Sequence, residues 1–175
     1  MILNPDQLKR YTVGVLVDNE PGVLSRVSGL FSRRGFNIES LAVGPTHDRE
    51  VSRITIVVLG DDAHIEQLVQ QLYKLICVQK VQVMHPKNAV ERQLLLVKVR
   101  AGHAEREGLM RLVDIFKAKV LDVTKSSMIL QITGDNDKIA AILSLLGDYG
   151  ITELVRTGVV ALERGDDVMN SDIFD

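Results

Sequence analysis

The sequence predicts an α+β protein made of two tandem ferredoxin-like domains, each with the element order βαββαβ. Apolar residues alternate in some segments, as in strands, and recur every three or four positions in others, as on one helix face. The order of these two patterns occurs twice within the 175 residues. A polar connector that contains proline, "HPKNAVER", separates the two occurrences. This division predicts one domain at residues 1–84, a linker at 85–92 and a second domain at 93–175.

The first half contains every element of the unit. "YTVGVLV" alternates valines and predicts the first strand, and Gly35 ends the first helix. Either Asp61 or Asp62 is suited to cap the second helix. The four strands are predicted at residues 11–17, 37–44, 51–59 and 78–84. The apolar faces of the two helices consist of Val23, Leu24, Val27, Leu30, Phe31 and of Ile65, Leu68, Val69, Leu72.

The second half repeats this order. "QLLLVKVR" predicts its first strand, and "ELVRTGVVALE" (153–163) predicts one closing strand. A hairpin joins strands at 119–124 and 127–133, and a Gly-Asp pair precedes the second helix of both halves. The two helical faces consist of Leu109, Leu112, Val113, Phe116 and of Ile139, Ile142, Leu143, Leu146.

A four-stranded sheet with both helices on one side leaves its other face uncovered. Such a face must be covered by the second domain or by another subunit, because a large exposed apolar surface promotes aggregation. This need favours a homo-oligomer. The alternative is that the two halves pack face to face.

Composition excludes several classes of function. The net charge is −2 and Lys and Arg are scattered, so a nucleic-acid-binding protein is not expected. The single cysteine, Cys77, excludes an internal disulfide framework and suits a reducing compartment. "MILNPDQLKR" lacks the apolar core of a signal peptide, and no apolar run reaches the roughly 20 residues of a membrane span. We therefore expect a soluble, cytoplasmic protein.

The sequence offers little support for catalysis or for a metal. Cys77 lies in an apolar stretch, where a buried, inert thiol is expected. The segments "HDRE" (47–50) and "DDAH" (61–64) have no zinc or calcium spacing, and hairpin and capping interactions explain both. The four histidines, at positions 47, 64, 85 and 103, fall in predicted turns or at element ends. The acidic C-terminal tail, "RGDDVMNSDIFD" (164–175), is expected to be solvated, or to be a docking peptide anchored by Ile173 and Phe174.

The turn "DNEPGVL" between the first strand and the first helix is the strongest candidate for a ligand site. It lacks the glycines and the lysine of nucleotide-binding motifs. A carboxylate fits better, because free backbone N–H groups and the helix dipole favour a negative partner. The amide of Asn19 has a donor and an acceptor, so it also suits an ammonium group. A free amino acid would need this combination, but a simple helix cap by Asn19 explains the same residues equally well.

Beyond this turn, the sequence resembles a known family. The segment "VGVLVDNEPGVLSRVSGLFSRRGFNIESLAVGPT" is similar to the opening ACT domain of the small, regulatory subunit of acetolactate synthase (acetohydroxyacid synthase). "SRITIVV", "QLYKLICVQKV", "VERQLLLVKV" and "RTGVVALERG" match later parts of the same family, so the resemblance extends from about residue 10 to residue 165. It implies an N-terminal ACT domain followed by an ACT-like domain.

The resemblance also implies a function. Members of the family are non-catalytic and activate a separate catalytic subunit, and they confer feedback inhibition by a branched-chain amino acid, usually valine. Thiamine diphosphate, FAD and Mg²⁺ belong to that partner, so no cofactor is expected in this chain. The effector lies where two ACT domains of a homodimer, or of a higher homo-oligomer, pair. The implied effector site comprises Asn19, Gly22, Val23 and Leu24 of one subunit with Asn37 and Ile38 of the facing subunit, and Gly44 lies nearby.

Three alternatives stay open or are disfavoured at this point. A valine-insensitive activator, and an ACT-type sensor that serves another partner, both fit the same residues. A ligand-responsive transcription regulator does not, because only about ten residues precede the first strand and leave no room for a helix-turn-helix. Valine, isoleucine and leucine are not ranked by the sequence, since one methylene changes affinity by only about 1–3 kcal/mol.

Overall fold

The computed structural model describes residues 9–166 and 168–169. Strands and helices alternate through the first half in the order β1 (Lys9–Asp18), α1 (Val23–Arg33), β2 (Ile38–Pro45), β3 (Val51–Gly60), α2 (Asp62–Leu72) and β4 (Val78–Met84). The second half contains β5 (Ala89–Arg100), α3 (Arg106–Phe116), β6 (Lys119–Val123), β7 (Ser127–Gly134), α4 (Asn136–Gly147), β8 (Ile151–Arg156) and β9 (Val160–Glu163). The twofold βαββαβ order confirms the predicted tandem ferredoxin-like fold. The predicted docking residues Ile173 and Phe174 lie outside the described part of the chain.

The first unit has an antiparallel sheet with the strand order β2-β3-β1-β4. The alternating residues Val13, Val15 and Val17 of β1 point to the helix layer and are fully or almost fully buried. Helix α1 packs against them through the apolar face that its spacing predicts, which ends in the fully buried Phe31. Burial of each such side chain stabilises the fold by about 1.5–3 kcal/mol.

The sequence predicted that either Asp61 or Asp62 caps helix α2. The carboxylate of Asp61, not of Asp62, accepts a hydrogen bond from the backbone N–H of His64 at 2.8 Å. The hydrogen bond lowers the pKa of Asp61 below its usual value.

The second unit repeats the strand order as β6-β7-β5-β8, and the short strand β9 also pairs with β5. Leu95, Val97 and Val99 of β5 alternate into a core that also contains Leu130 and Ile132 of β7. The two predicted helical faces contribute Leu109 and Val113 from α3 and Ile139, Ile142 and Leu146 from α4. Among the described residues, no helix is long and apolar enough to cross a membrane.

The C-terminal end of the chain differs from the prediction. Residues 153–163 do not form one closing strand; β8 ends at Arg156 and a separate strand, β9, begins at Val160. The second unit comprises residues 91–158, whereas the segment from Val159 onward belongs to the first unit. The predicted domains of 1–84 and 93–175 therefore differ from the observed division after residue 158. The reason is that Val159 and Ala161 are buried against residues of the first unit, and alternation alone does not show which sheet such residues join.

This segment covers part of the sheet face that lies opposite α1 and α2. Met169 packs against Leu16 and Val51, and Ala161 packs against Met84 and Ala89. From the sequence, either the second domain or another subunit was expected to cover this face. The chain's own C-terminal segment contributes to it, so the uncovered face no longer supports an oligomer.

Candidate functional site

The turn between β1 and α1 starts a helix that has no side-chain cap. The N-cap is Gly22, whose φ of 85° lies in the left-handed region that favours glycine. The first turn of α1 contains no acidic residue, and no side chain of the described residues caps it. Within the described part of the chain, the backbone N–H groups of Leu24 and Ser25 have no acceptor. The turn therefore presents free donors at the positive end of the helix dipole.

Asn19 does not cap the helix, so that interpretation was wrong. Its Nδ2 donates to the carbonyl oxygen of Arg49 at 2.8 Å, and its Oδ1 accepts from the hydroxyl of Ser52 at 3.0 Å. Its backbone N–H also donates to the carbonyl oxygen of Glu50 at 2.7 Å. Asn19 thus fixes the turn to the β2–β3 hairpin. Because an amide oxygen has two lone pairs, Oδ1 retains one acceptor position for an ammonium group.

The two apolar residues of the turn have different surroundings. Val23 is 4% exposed and belongs to the core between the sheet and the helices. Leu24 is 40% exposed and lies next to the free N–H groups. Leu24 is therefore the exposed apolar side chain of the turn, and Val23 is part of the core beneath the helix.

The other predicted site residues lie on or beside β2, an edge strand of the sheet. Ile38 packs partly against the core and pairs with Val58, while Gly44 pairs with Arg53. A side chain at Gly44 would meet nothing within 4 Å. The exposed Asn37 directly precedes β2.

Within one chain, these residues do not all meet. Ser52, which binds Asn19, is adjacent to Arg53, so Gly44 and the turn lie at the same end of the sheet. Ile38 lies at the other end of β2, because Val58 is five residues further along β3, or roughly 17 Å away. The predicted site residues therefore form two separate groups in a single subunit.

A cleft on the face opposite the helices was not predicted. Its volume is about 520 Å³, and its lining includes Arg53, Gln82, Glu163 and Met169. The guanidinium of Arg53 donates from Nη2 to the carbonyl oxygen of Ala161 at 2.9 Å, and its buried Nε has no partner among the described residues. Burial lowers the pKa of Arg53, and the negative charge of Glu163 opposes this effect. The sequence signal was an arginine within the apolar strand "SRITIVV".

The other residues that the sequence offered as candidates for catalysis or metal binding have structural roles. Cys77 is buried, as expected. In the hairpin, the carboxylate of Asp48 accepts from the N–H of Glu50 at 2.9 Å, which is ordinary turn chemistry. Within the ranges that the structure describes, no group of three or more His, Cys, Asp or Glu side chains is placed to hold a metal ion.

A tandem pair of βαββαβ units, the first with free helix donors near an edge strand, defines a protein of the ACT-domain class. A family model described as "AHAS small subunit-like ACT domain" matches residues 13–80. A second model, described as "Small subunit of acetolactate synthase", matches residues 92–165. The chain belongs to the family of acetolactate synthase small subunits.

Similar proteins agree with this assignment. A probable acetolactate synthase small subunit from Archaeoglobus fulgidus is 51% identical over 156 residues, which cover 89% of this chain and 98% of that relative. An acetolactate synthase small subunit from Mycolicibacterium smegmatis is 48% identical over 155 residues, with 89% and 91% coverage. The crystal structure of the small subunit from Thermotoga maritima superimposes with a TM-score of 0.84 at 42% identity, and covers 91% of this chain and 99% of that one.

Proposed function

We propose that this chain activates a separate catalytic subunit of acetolactate synthase and makes that subunit sensitive to inhibition by valine. In this proposal the chain itself is not catalytic, and thiamine diphosphate, FAD and Mg²⁺ are held by the catalytic partner. The observation that carries the effector part is the start of α1. Leu24 and Ser25 have free N–H groups there, the first turn contains no acidic residue, and Asn19 belongs to the turn that precedes the helix.

An amino acid would bind this turn through three contacts. Its carboxylate accepts hydrogen bonds from the free N–H groups, and the helix dipole adds about 0.3–1 kcal/mol. Its ammonium group donates to the remaining acceptor position on Asn19 Oδ1. Its side chain packs on Leu24, whose apolar side chain is exposed.

A second copy of the chain would complete this site. The edge strand β2 has a free outer side among the described strands, and exposed strand edges pair readily with another chain. If two copies of β2 pair antiparallel about a two-fold axis at Leu41, Ile38 of the second copy lies opposite Gly44. Such pairing would bring the two groups of site residues, including Asn37, together across a homodimer interface.

Regulation requires that valine binds one state of the enzyme complex better than another. Inhibition by some tens-fold corresponds to about 2 kcal/mol of differential binding. Binding by itself would not inhibit the partner, because a ligand with equal affinity for both states shifts neither.

Reconstitution with the catalytic subunit tests this function. The expected result is that the chain alone has no synthase activity, raises the activity of the catalytic subunit and makes it sensitive to valine. Asn19→Ala and Gly22→Asp should abolish valine sensitivity and largely preserve activation. Equal loss of both functions would contradict a separate effector site, and an unchanged catalytic rate on addition of the chain would refute the proposed function.

The alternative is a valine-insensitive activator. It is favoured by the fact that both amide atoms of Asn19 already make hydrogen bonds within the chain. Calorimetric titration of valine into the purified chain separates the two, since only the sensor releases or absorbs heat in a saturable manner. If another amino acid binds in place of valine, the chain is an ACT-type sensor with a different effector.

A further inference from the structure

The segment Val159–Glu163, here called the β9 arm, is placed to connect the proposed effector strand with the second unit. It belongs to the first unit, yet only Thr157 and Gly158 separate it from β8 of the second unit. Thr157 is held within the second unit, because its N–H donates to the carbonyl oxygen of Leu94 at 2.9 Å. Its hydroxyl accepts from the N–H of Leu94 at 3.0 Å. The arm is thus tied at a short distance along the chain to a fixed point of the other unit.

Three strands of the first sheet bind the arm. On β2, the hydroxyl of Ser40 accepts from the buried N–H of Val159 at 2.8 Å. On β3, the guanidinium of Arg53 donates to the carbonyl oxygen of Ala161 at 2.9 Å. On β4, the side-chain amide of Gln82 donates to the carboxylate of Glu163.

Two of these contacts involve strand neighbours of the proposed effector residues. Ser40 lies two positions after Ile38 on the same strand. Arg53 is the cross-strand neighbour of Gly44 and immediately follows Ser52, which binds Asn19. A shift of β2 or of the hairpin is therefore passed directly to the backbone of the arm.

The sheet is close-packed beneath the C-terminal segment. A Cβ atom at Gly14 would lie 2.9 Å from the methyl carbon Cε of Met84 and 3.0 Å from the sulfur of Met169. Leu16 is also buried against Met169. Because dense packing transmits small displacements, a movement of the sheet also displaces the C-terminal segment.

We propose that the β9 arm couples effector binding at β2 to the second unit, with Ser40 as a positioning residue that joins the strand to the arm. This proposal rests on the proposed function, since it concerns how the effector site regulates the complex. Ser40 is not one of the proposed ligand donors, and its hydroxyl is bound to the N–H of Val159. Its role is to make the arm follow β2.

The test compares valine binding with valine inhibition in three full-length variants. Ser40→Ala removes the acceptor and Ser40→Thr keeps a hydroxyl. Ser28→Ala is the control, because the Ser28 hydroxyl donates to a carbonyl oxygen within α1. The calorimetric affinity for valine should be unchanged in all three. With the catalytic subunit present, half-inhibition of Ser40→Ala should require about five-fold more valine, the lower end of allosteric coupling. Ser40→Thr and Ser28→Ala should behave as the unchanged chain does.

Hydrogen exchange gives a second readout that does not depend on activity. The N–H of Val159 should exchange faster in Ser40→Ala, because it loses its acceptor. If this exchange accelerates and the inhibition curve does not move, the arm does not couple the two units. If neither changes, Ser40 does not hold the arm, and the proposal is likewise overturned.

Measurements on the wild-type chain distinguish a failure of this proposal from a failure of the proposed function. If it binds and responds to valine, only the variants decide whether the arm is the coupling element. If it neither binds valine nor alters the catalytic subunit, the proposed function has failed and the coupling fails with it.

Discussion

A carboxylate placed at Ser25 should stabilise α1 and at the same time block the proposed effector site. Ser25 is exposed and lies at the third position of the helix, after the N-cap Gly22. An aspartate there would accept from the N–H groups of Leu24 and Ser25, which have no acceptor within the described residues. It would occupy the donors that the carboxylate of valine needs. Most substitutions that abolish binding also weaken the fold, so Ser25→Asp distinguishes the two effects.

The magnitudes follow from the geometry of the helix terminus. An acidic residue in the first turn contributes about 0.3–1 kcal/mol to stability. For a unit of this size, that gain raises the melting temperature by roughly 1–8 °C. Hydrogen bonds to a charged group contribute about 1.5–3 kcal/mol, so loss of the ligand's carboxylate contacts weakens valine binding by about 10- to 150-fold.

Thermal unfolding and valine inhibition curves are measured on the same samples. Ser32→Asp is the matched control, because it places the same charge in the last turn of the same helix. There the dipole is unfavourable, so Ser32→Asp should lower the melting temperature and leave valine sensitivity unchanged. A Ser25→Asp variant that melts at a higher temperature and is still inhibited at the original valine concentration would refute the site.

Two further predictions concern stability. Met169→Ala should lower the free energy of unfolding by about 2 kcal/mol, because Met169 is buried against Leu16. Denaturant titration measures this change. A change below about 0.5 kcal/mol would show that the C-terminal segment does not stabilise the sheet. Asp62 and Tyr11 should make stability depend on pH at both extremes. The hydrogen bond to Asp62 raises the pKa of Tyr11 to about 12, so its contribution is complete below pH 10 and is lost as the pH rises from 10 to 12. The hydrogen bond from Tyr11, and then the one from Lys9, lower the pKa of Asp62, so its contribution is present above its unfolded pKa and disappears as the pH falls through the folded value. Melting temperatures of the unchanged chain and of Tyr11→Phe should therefore converge at both extremes; a constant difference would contradict the linkage.

The repeated fold was predictable because its signals are local. Alternation in β1 and the three-to-four spacing in α1 depend only on neighbours in the chain. Both elements have the predicted buried faces except at Leu24 of α1, which was predicted on the apolar face and is exposed. For the same reason, the sequence limited the N-cap of α2 to two adjacent residues, Asp61 and Asp62. The choice between them depended on which carboxylate reaches the N–H of His64.

The role of Asn19 was not predictable from its neighbours. Asparagine favours helix caps, and its position before a helix supported that interpretation. Its hydrogen-bond partners, Arg49 and Ser52, lie 30 and 33 residues further along the chain. The cap position was taken instead by Gly22, because its left-handed backbone conformation sets where the helix begins.

The sequence by itself determined the two βαββαβ units, the helix faces and the turn with one glycine, since periodicity and turn chemistry are properties of short segments. Only the tertiary structure decided that the chain returns to the first unit after residue 158. The contact that marks this return, between Val159 and Ser40, joins residues 119 positions apart. The valines and alanine of "RTGVVALERG" suit either sheet, and the choice depends on which face has free acceptors and unfilled apolar surface.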